Sequence, residues 1–172
     1  LDIPRGAIII GLGSMGELAP ATLANAVRRG VLDYVALVED QCGRADREGI
    51  DRTPHQEVGL SLLLIGTNSA PNITVEDSVG AMLRAIARAN HEIANTRGLA
   101  TRIREIEIVE LYADVAIQAA HALKELASEI ESELDVHIEA ADLLREGRGG
   151  EVRVIPSMSR DQWRRWIITA EE

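Results

Sequence analysis

Ala7-Ile8-Ile9-Ile10-Gly11-Leu12-Gly13-Ser14-Met15-Gly16 is the stretch from which the rest of the chain takes its reading. A short apolar run of β type empties into a glycine-rich loop, and a helical pattern follows. Gly11, Gly13 and Gly16 are free to take backbone angles that other residues avoid, and they let a ligand approach the main chain. The N-terminus of the following helix adds unpaired N–H donors. A phosphate fits such a place. The spacing is G-x-G-x-x-G, which serves equally well in any tight strand-to-helix turn, so nucleotide binding and a structural turn both stand open.

Downstream of this loop, Leu23, Val27, Val31, Tyr34 and Val38 recur at the helical period and predict one amphipathic helix from Ala21 to about Gln41. Pro20 suits its first turn, and Gly43 is expected beyond its end. A competing reading breaks the helix at Gly30 and makes Tyr34 to Val38 a strand ending at Glu39 and Asp40. That would complete a Rossmann βαβ unit, with the acidic pair placed for an adenosine ribose. The acid comes 23 residues after Gly16, late against the usual spacing of about 20.

The chain of 172 residues suits one domain with a layered core. It opens on Leu1 rather than Met, which points to a segment of a longer protein. A formal charge of -10 disfavours nonspecific binding to nucleic acid or to an anionic membrane. The Arg102/Arg104 and Arg164/Arg165 pairs read as solvated faces. The lone Cys42 cannot form an internal disulfide, and no signal peptide or long apolar span is evident, so a cytoplasmic setting is expected. Aromatic content is 2% with no Phe, which leaves Tyr34, Tyr112, Trp163 and Trp166 for any stacking role.

Cys42 to Glu57 is polar, with turn-forming residues, and reads as an exposed connection. Gly59 to Gly66 is a nearly continuous apolar run of strand length, suited to a strand covered on both faces. The loop Thr67-Asn68-Ser69-Ala70-Pro71-Asn72 follows, rich in small residues and donors. Thr74 is placed to cap a helix whose buried face carries Val75, Val79, Met82, Ile86 and Ile93. A third unit begins at Ile103, with a strand over Ile106 to Leu111 and a turn through Tyr112. The helix that follows, Val115 to about Glu133, is expected to bury Ile117, Ala120, Leu123, Ala127, Ile130 and Leu134.

Two units of strand, loop and helix place donor-rich loops at strand ends, where ligands bind in α/β folds. Tyr112, at a strand exit, is placed either to stack on a base or to pack at a rim. His55, His91, His121 and His137 show no metal-ligand or triad spacing, and Cys42 lacks a nucleophile's context. From Val136 onward two extended segments joined by a glycine-rich turn suggest a hairpin. Trp163 and Trp166 then share one face of a helical turn, set to pack on the body of the domain.

The order of these units resembles a macro domain, especially the divergent macro-like domain at the N-terminus of leucine aminopeptidases. The likeness rests on Ile8 to Val27, on Leu62-Leu63-Leu64-Ile65-Gly66-Thr67 leading into Val75-Glu76-Asp77-Ser78, and on Ile108-Val109-Glu110-Leu111-Tyr112-Ala113-Asp114. It covers roughly residues 6–127 and implies a three-layer α/β/α sandwich with a mixed sheet, here plus a C-terminal β-hairpin. The whole chain would then be one domain, with an α/β core over 6–134 and the hairpin and tryptophan segment over 135–172.

The resemblance implies a pocket for ADP-ribose or a related nucleotide, held by Gly11, Leu12, Gly13, Ser14, Met15 and Gly16 and by Gly66, Thr67, Asn68 and Ser69. Tyr112 would stack on adenine. The asparagine-rich motif of ADP-ribosyl-hydrolysing macro domains is replaced by Gly11-Leu12-Gly13, which points away from catalysis. The strands before the first loop are absent or supplied by the hairpin, and the acidic residue that reads the adenine amine goes with them.

The segments GLGSMGEL, LLLIGT, VEDSV and ELYADVAIQAA with the tryptophan pair also resemble a region of large prokaryotic multidomain proteins that carry a CHAT caspase-like protease domain. This implies an accessory module whose partners are other domains of the same polypeptide. The expectation is therefore a noncatalytic macro-like sensor without a metal. A protein-interaction module without a small-molecule ligand is the first alternative, and a Rossmann NAD-binding fragment the second.

Overall fold

Leu23, Val27, Val31 and Val35 follow one another at four-residue intervals, and all four are buried. They form the inward seam of helix α1, Pro20–Arg47, which opens with the Leu23 N–H bonded to the Ala19 carbonyl at 2.9 Å. Strand β1 (Glu57–Leu63), helix α2 (Val75–Asn95), strand β2 (Arg102–Val109) and helix α3 (Ala113–Leu134) complete the order. The computed structural model describes residues 6–14, 16–47, 57–67, 73–134 and 144.

The two strands pair in parallel, with α2 as the crossover that parallel strands require. Leu60 lies opposite Ile106 and Leu62 opposite Ile108, after a register shift between Val58 and Gly59. Asn90 satisfies the main chain near that irregularity. Its side-chain amide donates to the Ile103 carbonyl at 2.8 Å, and its Oδ1 accepts from the Ile103 N–H at 3.0 Å.

Helix α2 is the hub. Met82, Ala85, Ile86, Ala89 and Ile93 join α1 and the strands in one apolar cluster. Val75, Val79, Leu83 and Ala87 join Val115, Ala119, Ala122 and Ile130 of α3 in a second, against which Leu64, Ile106 and Ile108 also pack. At Gly80 an added Cβ would lie 3.3 Å from Leu126, so the glycine sets how closely α2 and α3 approach. The ion pairs Arg28–Glu92 at 2.9 Å and Arg84–Glu129 at 2.6 Å cross the same helix pairs at the surface. Each contributes at most about 1 kcal/mol.

Several expectations meet the structure directly. Thr74 caps α2, its Oγ1 accepting from the Asp77 N–H at 3.0 Å, and Val75, Val79, Met82, Ile86 and Ile93 are all buried. By contrast, Tyr34 to Val38 is helical, so the Rossmann strand does not form. Gly30 is no breaker. It is a notch for Ile10, whose Cδ1 would lie 2.8 Å from a Cβ placed there. Nor does Gly43 end α1, because a helix this long tolerates the roughly 1 kcal/mol that an interior glycine costs.

Ala7 to Ile10 is not a strand. Ile9 is 96% exposed while Ile10 turns onto the helix, so the run splits between solvent and core instead of pairing. In α3 the buried positions are Val115, Ala119, Ala122 and Ile130, whereas Ile117 is 48% exposed. Of the expected face, Ile130 is buried and Leu123 packs against the second cluster, whereas Ile117 turns outward and Val115, Ala119 and Ala122 carry the rest, because α3 meets α2 largely through small residues. The strands also sit earlier than expected, over Glu57–Leu63 and Arg102–Val109.

The outward face of β1 and β2 carries Ser61, Leu63, Glu105, Glu107 and Val109, all exposed, so among the described residues β1 is covered on one face only. The chain is thus an α/β protein, and among the described residues three helices accompany a two-stranded parallel sheet. The expected hairpin and tryptophan segment lie outside the described residues.

Candidate functional site

The strands end together, and their last residues open a cleft of about 350 Å³. Leu63, Leu64, Gly66 and Thr67 line it from β1, and Val109, Glu110 and Leu111 from β2. This is the carboxyl end of a parallel pair, the edge at which α/β proteins bind ligands.

Gly66 turns the chain away from β1 with φ at 86°, in the left-handed region. Its carbonyl accepts from the Ile73 N–H at 3.2 Å, which closes the loop, and an added Cβ would lie 2.9 Å from Ile73 Cδ1. Ser78, buried in α2, donates its hydroxyl to the Ile65 carbonyl at 2.7 Å and ties the cleft wall to the core.

The two helices that begin at this edge both carry acidic residues in their first turns. At α2 the Thr74 hydroxyl takes the Asp77 N–H, and Glu76 and Asp77 occupy the first turn. At α3 one Glu110 oxygen accepts from the Leu111 N–H at 2.7 Å and the Tyr112 N–H at 3.0 Å, and Asp114 stands in the first turn. The negative charges of Glu76 and Asp77 at α2, and of Glu110 and Asp114 at α3, stand near the positive ends of the two dipoles and disfavour an anionic ligand there. A diphosphate in the cleft would meet these charges at close range.

Gly66 and Thr67 line the cleft as candidates, while Asn68 and Ser69 lie outside the described residues. Tyr112 is half-buried against the second cluster at the start of α3, its carbonyl accepting from the Ala116 N–H at 2.9 Å, and it is not part of the lining. Gly11, Leu12, Gly13, Ser14 and Gly16 form a separate loop in which Leu12 leans on the first cluster and the others are exposed; Met15 lies outside the described residues. Gly13 and Gly16 have φ of 84° and 88°, and the turn is closed by the Glu17 N–H bonded to the Ser14 carbonyl at 3.2 Å. Gly16 stands four residues ahead of α1, so its loop is not continuous with the helix N-terminus.

Sequence reasoning overlooked Leu63, Val109, Glu110 and Leu111. Their signal was present, because Leu63 and Val109 fall on the parity that the helix-facing residues leave to solvent. Glu110 precedes a helix start.

At the opposite end of the sheet, Glu39 of α1 accepts from the Ala100 N–H at 2.7 Å and the Thr101 N–H at 2.6 Å. Burial raises its pKa, but the Thr101 hydroxyl and N–H, the Ala100 N–H and the Arg102 charge outweigh burial and hold the carboxyl below the usual carboxylate range. Its role here is to fasten α1 to β2, not to read a ribose.

His91 and His121 are exposed on α2 and α3, and His55 and His137 lie outside the described residues. Among the described residues no group of three or more His, Cys, Asp or Glu side chains could hold a metal ion. No helix among them is long and apolar enough to cross a membrane. What fold and cleft define is an α/β protein built on one βαβ unit with a strand-end cleft. No family model, curated protein or solved structure matches the chain.

Proposed function

We propose that the chain is a noncatalytic protein-interaction module that works through the strand-end cleft and the outward face of β1 and β2. The observation that supports this is an apolar surface with an acidic surround. Leu63 is 70% exposed, Val109 46% and Leu111 54%, near helix first turns that carry Glu76, Asp77 and Asp114. Scattered apolar residues on a surface need no explanation, but three that converge on one strand end suit a partner's apolar side chains.

The outward face is also where the third layer of an α/β/α sandwich would lie, so a partner there would complete the macro-like architecture. The resemblance to CHAT-associated regions supports a cytoplasmic setting in which that partner is another domain of a larger prokaryotic polypeptide, including a caspase-like protease domain.

A second reading, an ADP-ribose-type ligand, is favoured by the cleft's place beside Gly66 at the carboxyl end of parallel strands. Calorimetric titration with ADP-ribose, NAD and AMP separates the two. The interaction module gives no saturable heat at millimolar nucleotide. Saturable binding of ADP-ribose that Thr67→Val or Tyr112→Ala weakens would return the nucleotide site.

A further inference from the structure

Along the outward face the side chains change character in strand order. Leu63 and Val109 are register partners at the cleft end, Ser61 and Glu107 come next, and Gly59 and Glu105 follow. Ser61 donates its hydroxyl to Glu107, and neither Glu105 nor Glu107 has an ion-pair partner among the described residues. The surface is thus apolar at one end and anionic at the other, with little side-chain bulk on the β1 side of the anionic half.

Parallel strands are normally covered on both faces, and helices are the elements that cover them. A second copy of this chain does not suit this face. Stacking two such faces would bring Glu105 and Glu107 of one copy against those of the other, in a protein of formal charge -10. We infer that the outward face receives an amphipathic helix of that partner domain, apolar where it meets Leu63, Val109 and Leu111 and basic where it meets Glu107 and Glu105. This rests on the interaction-module reading and adds the partner's chemistry.

The spacing of that helix follows from the strand. At about 3.3 Å per residue, Glu107 and Glu105 lie roughly 7 and 13 Å along β2 from Val109. A helix laid along the strands rises about 1.5 Å per residue, so its Lys or Arg residues fall about four to five and about nine positions from its apolar anchor. On the anchor's own face the nearest positions are about four and about seven to eight residues on, and the long Lys and Arg side chains span the few ångströms that remain. Charge complementarity sets the register and the orientation, while the apolar end supplies the contact area.

The probe is a fluorescein-labelled peptide about five turns long, with leucines on one face of its first half and lysines on the same face of its second half. A companion carries glutamate for lysine. Fluorescence anisotropy is expected to show saturable binding of the Leu-Lys peptide and at least about tenfold weaker binding of the Leu-Glu peptide. Leu63→Ser with Val109→Ser should weaken the Leu-Lys peptide by about tenfold or more, and Glu105→Gln with Glu107→Gln by about three- to tenfold. All four positions are exposed, and unchanged thermal melting would show that the variants fold.

Equal affinity for both peptides, or a charge variant that binds as well as the parent, would overturn the basic helix and leave the interaction reading standing. Full affinity in the Leu63→Ser, Val109→Ser variant would remove the surface and that reading with it. Absence of binding by the Leu-Lys peptide overturns the inference.

Discussion

The two faces of the β1–β2 pair are made from alternate residues of the same strands, yet they have opposite surroundings. Leu60 and Ile103 are buried, with Leu62, Ile106 and Ile108 packed against the helical clusters, while Ser61, Leu63, Glu105, Glu107 and Val109 meet solvent. The inward face is held by complementary volume in a closed core. Among the described residues the outward face takes no part in either apolar cluster, and on the proposed reading its order of apolar and anionic residues answers to a partner. On that reading, one face serves stability and the other recognition.

The sharpest way to break that division is to truncate register neighbours of opposite facing. Leu60→Ala should cost about 2–4 kcal/mol, whereas Leu63→Ala should stay within about 0.5 kcal/mol, read as urea midpoints. Similar losses at the two sites would show the outward face to be part of the core. Between the faces stands Gly66. Gly66→Ala forces an L residue to a φ of 86° and a Cβ to within 2.9 Å of Ile73, so a loss of about 1–3 kcal/mol is expected. Thermal melting of that variant at parent values would mean that the turn does not have this geometry. Thr74→Ala, which removes the cap of the hub helix, should cost about 1 kcal/mol.

The smallest effect concerns acid. Because the folded pKa of Glu39 is depressed, its contribution is present above the unfolded pKa and is lost as pH falls through the folded one. Parent protein should therefore lose more stability than Glu39→Gln over that acidic window. Parallel pH profiles for the two would show that the Ala100 and Thr101 N–H groups do not depend on the carboxylate.

The helices were legible because their burial is periodic. Leu23, Val27 and Val31 mark α1, and Thr74 with Val75, Val79 and Met82 marks both the start and the inward face of α2. Helix α3 was legible as a helix but only in part in its orientation: Ile130 and Leu123 face inward as expected, whereas Ala119 and Ala122, whose small side chains give a weak hydrophobic signal, were missed in favour of Ile117. Gly30 and Gly43 misled because glycine signals freedom of the backbone, and here one serves as a notch and the other sits inside a helix. The run from Ala7 to Ile10 misled for a related reason. Three isoleucines suit a strand, but a strand needs a neighbour, and Ile10 finds α1 instead.

The site was half legible. Gly66 and Thr67 stood out as a strand-end turn, whereas the glycine-rich loop from Gly11 to Gly16, whose motif drew more attention, does not line the cleft. Leu63 was concealed within an apolar run whose alternation became visible only once Leu60, Leu62 and Leu64 had a helical layer to face. Glu110 was overlooked because a carboxylate that binds the adjacent main chain and a ligand-reading one look the same in sequence, and only its acceptance of the Leu111 and Tyr112 N–H groups separates them.

Amide chemical-shift mapping of the whole chain during titration with the Leu-Lys peptide tests the central claim most directly. The account predicts progressive shifts confined to outward β1 and β2 positions and the strand ends, at Ser61, Leu63, Glu107, Val109 and Leu111, with Met82, Ile86 and the Gly11 to Gly16 loop unmoved. Shifts concentrated on that glycine loop, or spread over the helices with the outward face unchanged, would contradict it.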